Sequence, residues 1–311
     1  MAVAARLVSQ SGDVGKAAKR LVAAAEGHGI DLTLVWGIFE AGESGVVARQ
    51  CCLLVPGPGR TVMAFVSEPA QQSGPGWEAT GAADRASCVE AAVREFPRLR
   101  PGAAAVAQAL PSPVEDWAVV PLLASGFLSV GELDYMRLEA ATTVERPSAS
   151  MDAGWALRSL HDVPQRERRE ILLKVLEASY EQTMDCPELC GVRSTEDILD
   201  SHFATGQFDA RLWWLVTATT PDGVRNVGCV LMSACPEQRL VELVYLGLEA
   251  GVRGRRWSRD ILAVAVQRVR ERYRSWPITC AVDGRNEPAG RLYRGLGFSA
   301  FGRRLALVRG L

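Results

Sequence analysis

The stretch LVYLGLEAGVRGRRWSRDIL, residues 243–262, decides how this chain is read. Its start is apolar and aromatic, as a strand requires. A turn follows that carries Arg253, Gly254, Arg255 and Arg256. From Ser258 onward, Ile261, Leu262, Ala265, Val269 and Tyr273 recur at helical spacing, which predicts an amphipathic helix to about Tyr273. A strand that feeds an arginine-rich turn and a helix N-terminus suits a phosphate ester, because unpaired backbone N–H groups and the helix dipole both favour negative charge. The sequence ITCAVDGRNEPAGRLYRGLGF, residues 278–298, then predicts a second strand and a short helix.

At 311 residues the chain exceeds one ordinary core, which predicts two domains of roughly 150 residues each. Apolar content of 48% with 23% charged residues is that of a globular chain. A net charge of −1 gives no general attraction to nucleic acid or an anionic membrane, and no window reaches the apolar length of a membrane span. The N-terminus lacks the apolar core and cleavage pattern of a signal peptide. Eight scattered cysteines fit reduced thiols, so the expected location is cytoplasmic. Cys186 and Cys190 stand at metal-like spacing without a second Cys/His pair, and no metal is expected.

The rest of the chain predicts strands, helix, strand, helix, strand in the first half. ARQCCLLV and TVMAFVSE flank PGPG as a hairpin, 71–83 reads as a loop and Ala86–Phe96 as a helix. ATTVERPSAS, residues 141–150, lacks periodicity and marks a domain boundary. Beyond it, a helix starts near Asp162 and Pro164, and Ser194 with Asp197 forms a capping-box signal. A second hairpin follows, then the strand at 240–248. The mixture predicts α/β or α+β architecture. The halves share an element order. Gly126-Phe127 and Gly297-Phe298 are 171 residues apart, and at that offset Ala118 meets Ala289 and Gly131 meets Gly302, which points to a tandem duplication.

The second half resembles the GCN5-related N-acetyltransferase (GNAT) superfamily. The turn VRGRRWSRDIL at 252–262 is similar to its Gln/Arg-x-x-Gly-x-Gly/Ala segment, and Asn286, Ala289, Leu292, Tyr293, Gly297 and Phe298 fall on its Asn-x-x-Ala-x-x-Leu-Tyr-x-x-x-Gly-Phe segment. The resemblance implies two GNAT-like domains, each a mostly antiparallel mixed sheet flanked by helices. Residues 1–145 would form a degenerate, non-catalytic domain and 151–311 a catalytic one, in a tandem arrangement resembling mycothiol synthase-like proteins.

It also implies acetyl-CoA as co-substrate, with direct acetyl transfer to a small-molecule or peptide amine. The pyrophosphate would be held by Arg253, Gly254, Arg255, Arg256, Trp257 and Ser258, and the pantetheine arm by the backbone of Leu246, Gly247 and Leu248 and by Asn286. Tyr293 would be the general acid and Glu242 the general base. Strict alternation puts Glu242 with Val244, Leu246 and Leu248, opposite Leu243, Tyr245 and Gly247. Asn286 equally suits a helix cap.

Two positions depart from the family pattern: Arg256 stands where glycine is usual and Ser258 where glycine or alanine is. A non-catalytic CoA-binding or interaction protein on the same scaffold is therefore the alternative. In the first half the offset maps Tyr293 to Leu122 and Arg253–Ser258 to Ala82–Ser87, so neither acid nor turn survives, and Pro121 falls inside the corresponding helix. One active site per chain is expected, with no nucleic-acid or membrane partner, in a monomer or homodimer.

Overall fold

A computed structural model of the chain describes residues 2–7, 13–27, 29–42, 45–69, 77–145, 154–220 and 223–311. These fall into two compact units, one of Met1–Gly131 with Arg304–Leu311 and one of Glu132–Arg303. Part of the boundary segment expected at 141–150 lies outside the described residues.

The first half runs α1 (Ala2–Leu7), α2 (Val14–Gly27), β1 (Val35–Gly42), β2 (Gly45–Gly57), β3 (Thr61–Val66), α3 (Trp77–Leu99), β4 (Val106–Ala109), α4 (Asp116–Ala124) and β5 (Leu128–Leu138). The second runs β6 (Trp155–Ser159), α5 (Gln165–Tyr180), α6 (Thr195–Ala204), β7 (Trp213–Thr220), β8 (Gly223–Cys235), β9 (Leu240–Leu248), α7 (Trp257–Arg272), β10 (Ile278–Asp283), α8 (Glu287–Gly295) and β11 (Ser299–Gly310). The order α, α, β, β, β, α, β, α, β thus occurs twice. The last helix starts at 116 and at 287, and the last strand at 128 and at 299, so both pairs stand 171 residues apart.

In each unit the sheet is antiparallel except for one pair. β3 and β4 run parallel across the crossover helix α3, and β9 and β10 run parallel across α7. The last strands are exchanged. β10 pairs antiparallel with β5 from Ile278↔Leu138 to Asp283↔Leu133, while β4 pairs with the end of β11 from Ala109↔Leu307 to Val106↔Gly310. Each sheet therefore takes a strand from the other half of the sequence.

The core of the second unit follows from periodicity. Ile261, Leu262, Ala265, Val266 and Val269 of α7 are fully buried, each large side chain contributing roughly 1.5–3 kcal/mol. Trp213 is fully buried and stacks on Phe203 at 4.8 Å. Ser194 caps α6, its hydroxyl accepting from the Asp197 N–H at 3.1 Å.

One expectation for the first half is corrected, and Pro121 is accommodated where it was expected, inside the last helix. The loop assigned to 71–83 gives way to helix at Trp77, and 70–76 lie outside the described residues. Gly81 lies in the last four residues of that assignment, inside the helix, and a Cβ there would stand 3.3 Å from the Gln50 amide. Close packing on β2 offsets glycine's poor helix propensity. Helix α4 runs through Pro121. A proline leaves the carbonyl four residues earlier without its donor, and Arg85 Nε donates to that Trp117 carbonyl at 3.1 Å. No helix among the described residues is long and apolar enough to cross a membrane.

Candidate active site

β9 and β10 are paired only at Val241↔Ile278 and Glu242↔Thr279, and then part. Along its other edge β9 carries a β-bulge: Leu231 faces Tyr245 while Met232 faces Leu243, which leaves Val244 as the extra residue. An extra residue inverts the alternation beyond it. Glu242 therefore shares a face with Tyr245 and Gly247, not with Val244, Leu246 and Leu248 as strict alternation predicts. Gly247 is explained locally, because a Cβ there would collide with the Tyr245 phenol ring. Where the strands part, a cleft of about 510 Å³ opens, walled by the end of α5, residues 182–185, the arginine turn and α8.

The turn divides its residues. Arg253, Gly254 and Ser258 line the cleft, together with Leu246, Gly247 and Leu248, whereas Arg255, Arg256 and Trp257 do not. The Arg253 guanidinium donates to three backbone carbonyls: Leu248 at 2.9 Å, Gln182 at 3.1 Å and Ser179 at 2.7 Å. It ties the end of β9 to the C-terminus of α5, where carbonyls lack helical partners. Arg255 lies over the Trp257 ring at 5.1 Å. Arg256 is the N-cap residue of α7 and holds φ = 64°, the left-handed conformation that favours glycine. No side chain caps α7, and among the described residues nothing accepts from the backbone N–H groups of Gly254 to Ser258. The turn thus leaves backbone N–H groups open at the start of α7, as helix N-termini do.

Tyr293 lines the same cleft from α8 and is 7% exposed, with its ring 5.6 Å from that of Phe298. Burial raises its pKa well above that of an ordinary phenol, so it holds its proton at neutral pH. The hydroxyl has no protein hydrogen-bond partner among the described residues. Asn286 also lines the cleft and caps α8, its side-chain oxygen accepting from the Ala289 N–H at 3.2 Å.

A group of residues that the sequence reading did not single out lies beside them. The Tyr245 hydroxyl hydrogen-bonds Ser179 Oγ at 2.8 Å, and His202 stacks on the Tyr245 ring at 5.5 Å, within 3.5 Å of the Tyr180 hydroxyl. Burial, helped by the nearby Arg193 charge, lowers the His202 pKa to about 4, so the imidazole is neutral. Asp185 stands at the cleft wall, exposed on one side, with one oxygen accepting from the Asp283 N–H at 3.0 Å. Burial raises its pKa. Asp283 in turn accepts from Cys186 N–H and from Arg285, and Arg285 also pairs with Glu188, which pins the α5–α6 loop to the end of β10. The Ser179–Tyr245 and Asp185–Asp283 contacts span 66 and 98 residues of sequence, and no local motif announces them.

Glu242 lies outside this cleft, in an adjoining cavity of about 730 Å³, and Ala281 borders both. Burial raises its pKa, and its carboxylate has no protein hydrogen bond or ion pair among the described residues. Among the described residues no three His, Cys, Asp and Glu groups come together as a metal-holding cluster.

The corresponding positions of the first half are built differently. Ala82–Ser87 lie inside α3, where backbone N–H groups are spent on helical bonds, and Leu122 is buried.

No family model and no curated protein matches the chain. Among solved structures, a GCN5-related N-acetyltransferase from Sphaerobacter thermophilus superposes with a TM-score of 0.60 at 17% identity, covering 99% of this chain and 90% of that one. The GCN5-related glucosamine N-acetyltransferase region of a fungal multi-domain β-N-acetylglucosaminidase superposes at 0.55 and 12% identity, over 86% of this chain and 32% of that one. A conserved protein of unknown function from Staphylococcus epidermidis superposes at 0.51 and 13%, over 88% and 94%. The fold is that of the GCN5-related N-acetyltransferases.

Proposed function

We propose that this chain is an acetyl-CoA-dependent N-acyltransferase with one active site, in the cleft where β9 and β10 part. The first half, residues 1–145, is then a degenerate domain without catalytic groups, and 151–311 carries the chemistry. The observation that carries the reading is the convergence on one cleft of a protonated Tyr293 hydroxyl and of Gly254 and Ser258, whose backbone N–H groups find no acceptor among the described residues.

The residues would act as follows. The α7 N-terminus holds the pyrophosphate of acetyl-CoA through backbone N–H groups, with Ser258 beside it. The parted edge of β9 at Leu246–Leu248 takes the pantetheine arm as a further strand would. The acceptor enters as an ammonium ion and loses one proton through Glu242 to solvent. Its lone pair attacks the acetyl carbonyl carbon, the N–C bond forms and the C–S bond breaks. Sulfur leaves as thiolate and takes a proton from Tyr293, which the second nitrogen proton replaces. The balance is ammonium plus acetyl-CoA giving amide, CoA thiol and one proton.

A thiol-release assay with a panel of amines tests this. Amine-dependent CoA release that falls in Tyr293→Phe supports the reading. A second reading, a non-catalytic CoA-binding or interaction protein on the same scaffold, is favoured by the altered turn, where Arg256 holds a left-handed φ and the Arg253 guanidinium is committed to carbonyls instead of a ligand. Acetyl-CoA binding with no thiol release for any amine selects it.

A further inference from the structure

The cavity that holds Glu242 has a chemistry of its own. Its charged lining groups are Glu242 and Glu237, and it has no lysine or arginine. Tyr135 and Phe301 form one wall, packed edge to face with centroids 6.2 Å apart, and Phe301 leaves 57% of its surface exposed. The Glu242 carboxylate is largely enclosed yet lacks a hydrogen-bond or cationic partner among the described residues. An enclosed carboxylate without a partner is costly, and a cation from outside the chain would relieve that cost. Its cross-strand neighbour Ser233 has a fully buried hydroxyl that is likewise without a partner. An aromatic wall adds affinity for a flat apolar group and, through the ring quadrupole, for a cation. The cavity meets the cleft at Ala281, so a nitrogen seated near Glu242 lies on the side of the cleft floor.

We propose that this cavity selects, as acceptor, a primary alkyl ammonium ion that bears a planar apolar group and no carboxylate of its own. The ammonium pairs with Glu242, the apolar part lies against Tyr135 and Phe301, and Glu237 repels acidic acceptors. This rests on the acyltransferase reading only for what happens next, since the selection is one of binding.

Calorimetry of the full chain with 2-phenylethylamine and with phenylalanine tests it, because the two differ by one carboxylate. The amine is expected to bind at least tenfold more tightly than the amino acid. Glu242→Gln is expected to abolish that preference, and Phe301→Ala to weaken the amine about tenfold. Equal binding of the two, or amine binding unchanged in both variants, overturns the proposal, as does the absence of amine binding. A parallel acetyl-CoA titration keeps the two readings apart. Amine binding without acetyl-CoA binding leaves the cavity assignment standing and removes the acyltransferase reading.

Discussion

Arg253 donates from Nη2 to the carbonyl of Ser179 at 2.7 Å, so the arginine that the sequence offers as a phosphate cation is a brace between β9 and α5. Ser179 also holds the Tyr245 hydroxyl through its side chain, so one residue of α5 fixes both the turn and the cleft wall. Arg253→Lys has one head group that cannot reach three carbonyls in a fixed fork. It should cost about 1–2 kcal/mol of stability, at roughly 1 kcal/mol for each hydrogen bond lost, and weaken acetyl-CoA binding by displacing the turn. Thermal unfolding with and without acetyl-CoA measures both. A pure loss of affinity at full stability would mean that the guanidinium meets the ligand directly.

Arg256 holds a left-handed φ that costs a non-glycine residue about 1 kcal/mol or more. Arg256→Gly should therefore raise stability by about that amount, while acetyl-CoA affinity changes little because the side chain lies outside the cleft. A loss of affinity beyond tenfold would show that the guanidinium swings in to pair with phosphate.

Tyr293→Phe removes a hydroxyl that has no protein partner, so the fold should keep its stability. Turnover should fall by about 10²-fold, as for loss of a positioned general acid, with acetyl-CoA affinity nearly unchanged. Steady-state kinetics beside a direct binding measurement separates the two effects. Unchanged turnover would place the proton donor elsewhere.

Glu242 has a raised pKa in the fold, so the folded state holds a proton that the unfolded chain releases. Between the two pKa values the folded state binds more protons, and stability declines as pH rises through that window. Glu242→Gln should then be more stable than the parent at pH 7, and the difference should vanish below the ordinary carboxylate pKa of about 4. Denaturant unfolding at both pH values checks the sign. A variant less stable at pH 7 would mean that the carboxylate has a stabilising partner.

β10 takes its outer neighbour from residues 133–138, which precede the expected boundary. A fragment of residues 151–311 thus lacks a strand of the sheet that carries the site. It should aggregate or self-associate through the bare edge of β10, whereas the full chain should not. Size-exclusion chromatography with circular dichroism reads this. A stable monomeric fragment would show the exchanged strand to be dispensable.

What the sequence made legible follows from range. The helix α7 and its buried stripe, the hairpin about PGPG, the Ser194 cap and the pairing of Tyr293 with the turn in one cleft all rest on spacing within a few turns or on a motif in fixed order. The bulge at Val244 was hidden, because an extra residue leaves the hydrophobic run intact while inverting its faces. That is why Glu242 faces the second cavity and not the apolar side of β9. The exchange of β5 and β11 was hidden for a different reason: two strands with the same pattern and the same place in each half can trade partners without any change in sequence signal. The Tyr245–His202–Ser179 group was hidden because its members lie on three elements far apart in the chain.

A chain that repeats its architecture but keeps one acetyl-CoA site should show that in isothermal titration of the full chain with acetyl-CoA. The expected result is saturable heat with one ligand bound per chain, abolished by blocking the cleft with Ser258→Trp. No heat at millimolar ligand, or two ligands per chain, would contradict it.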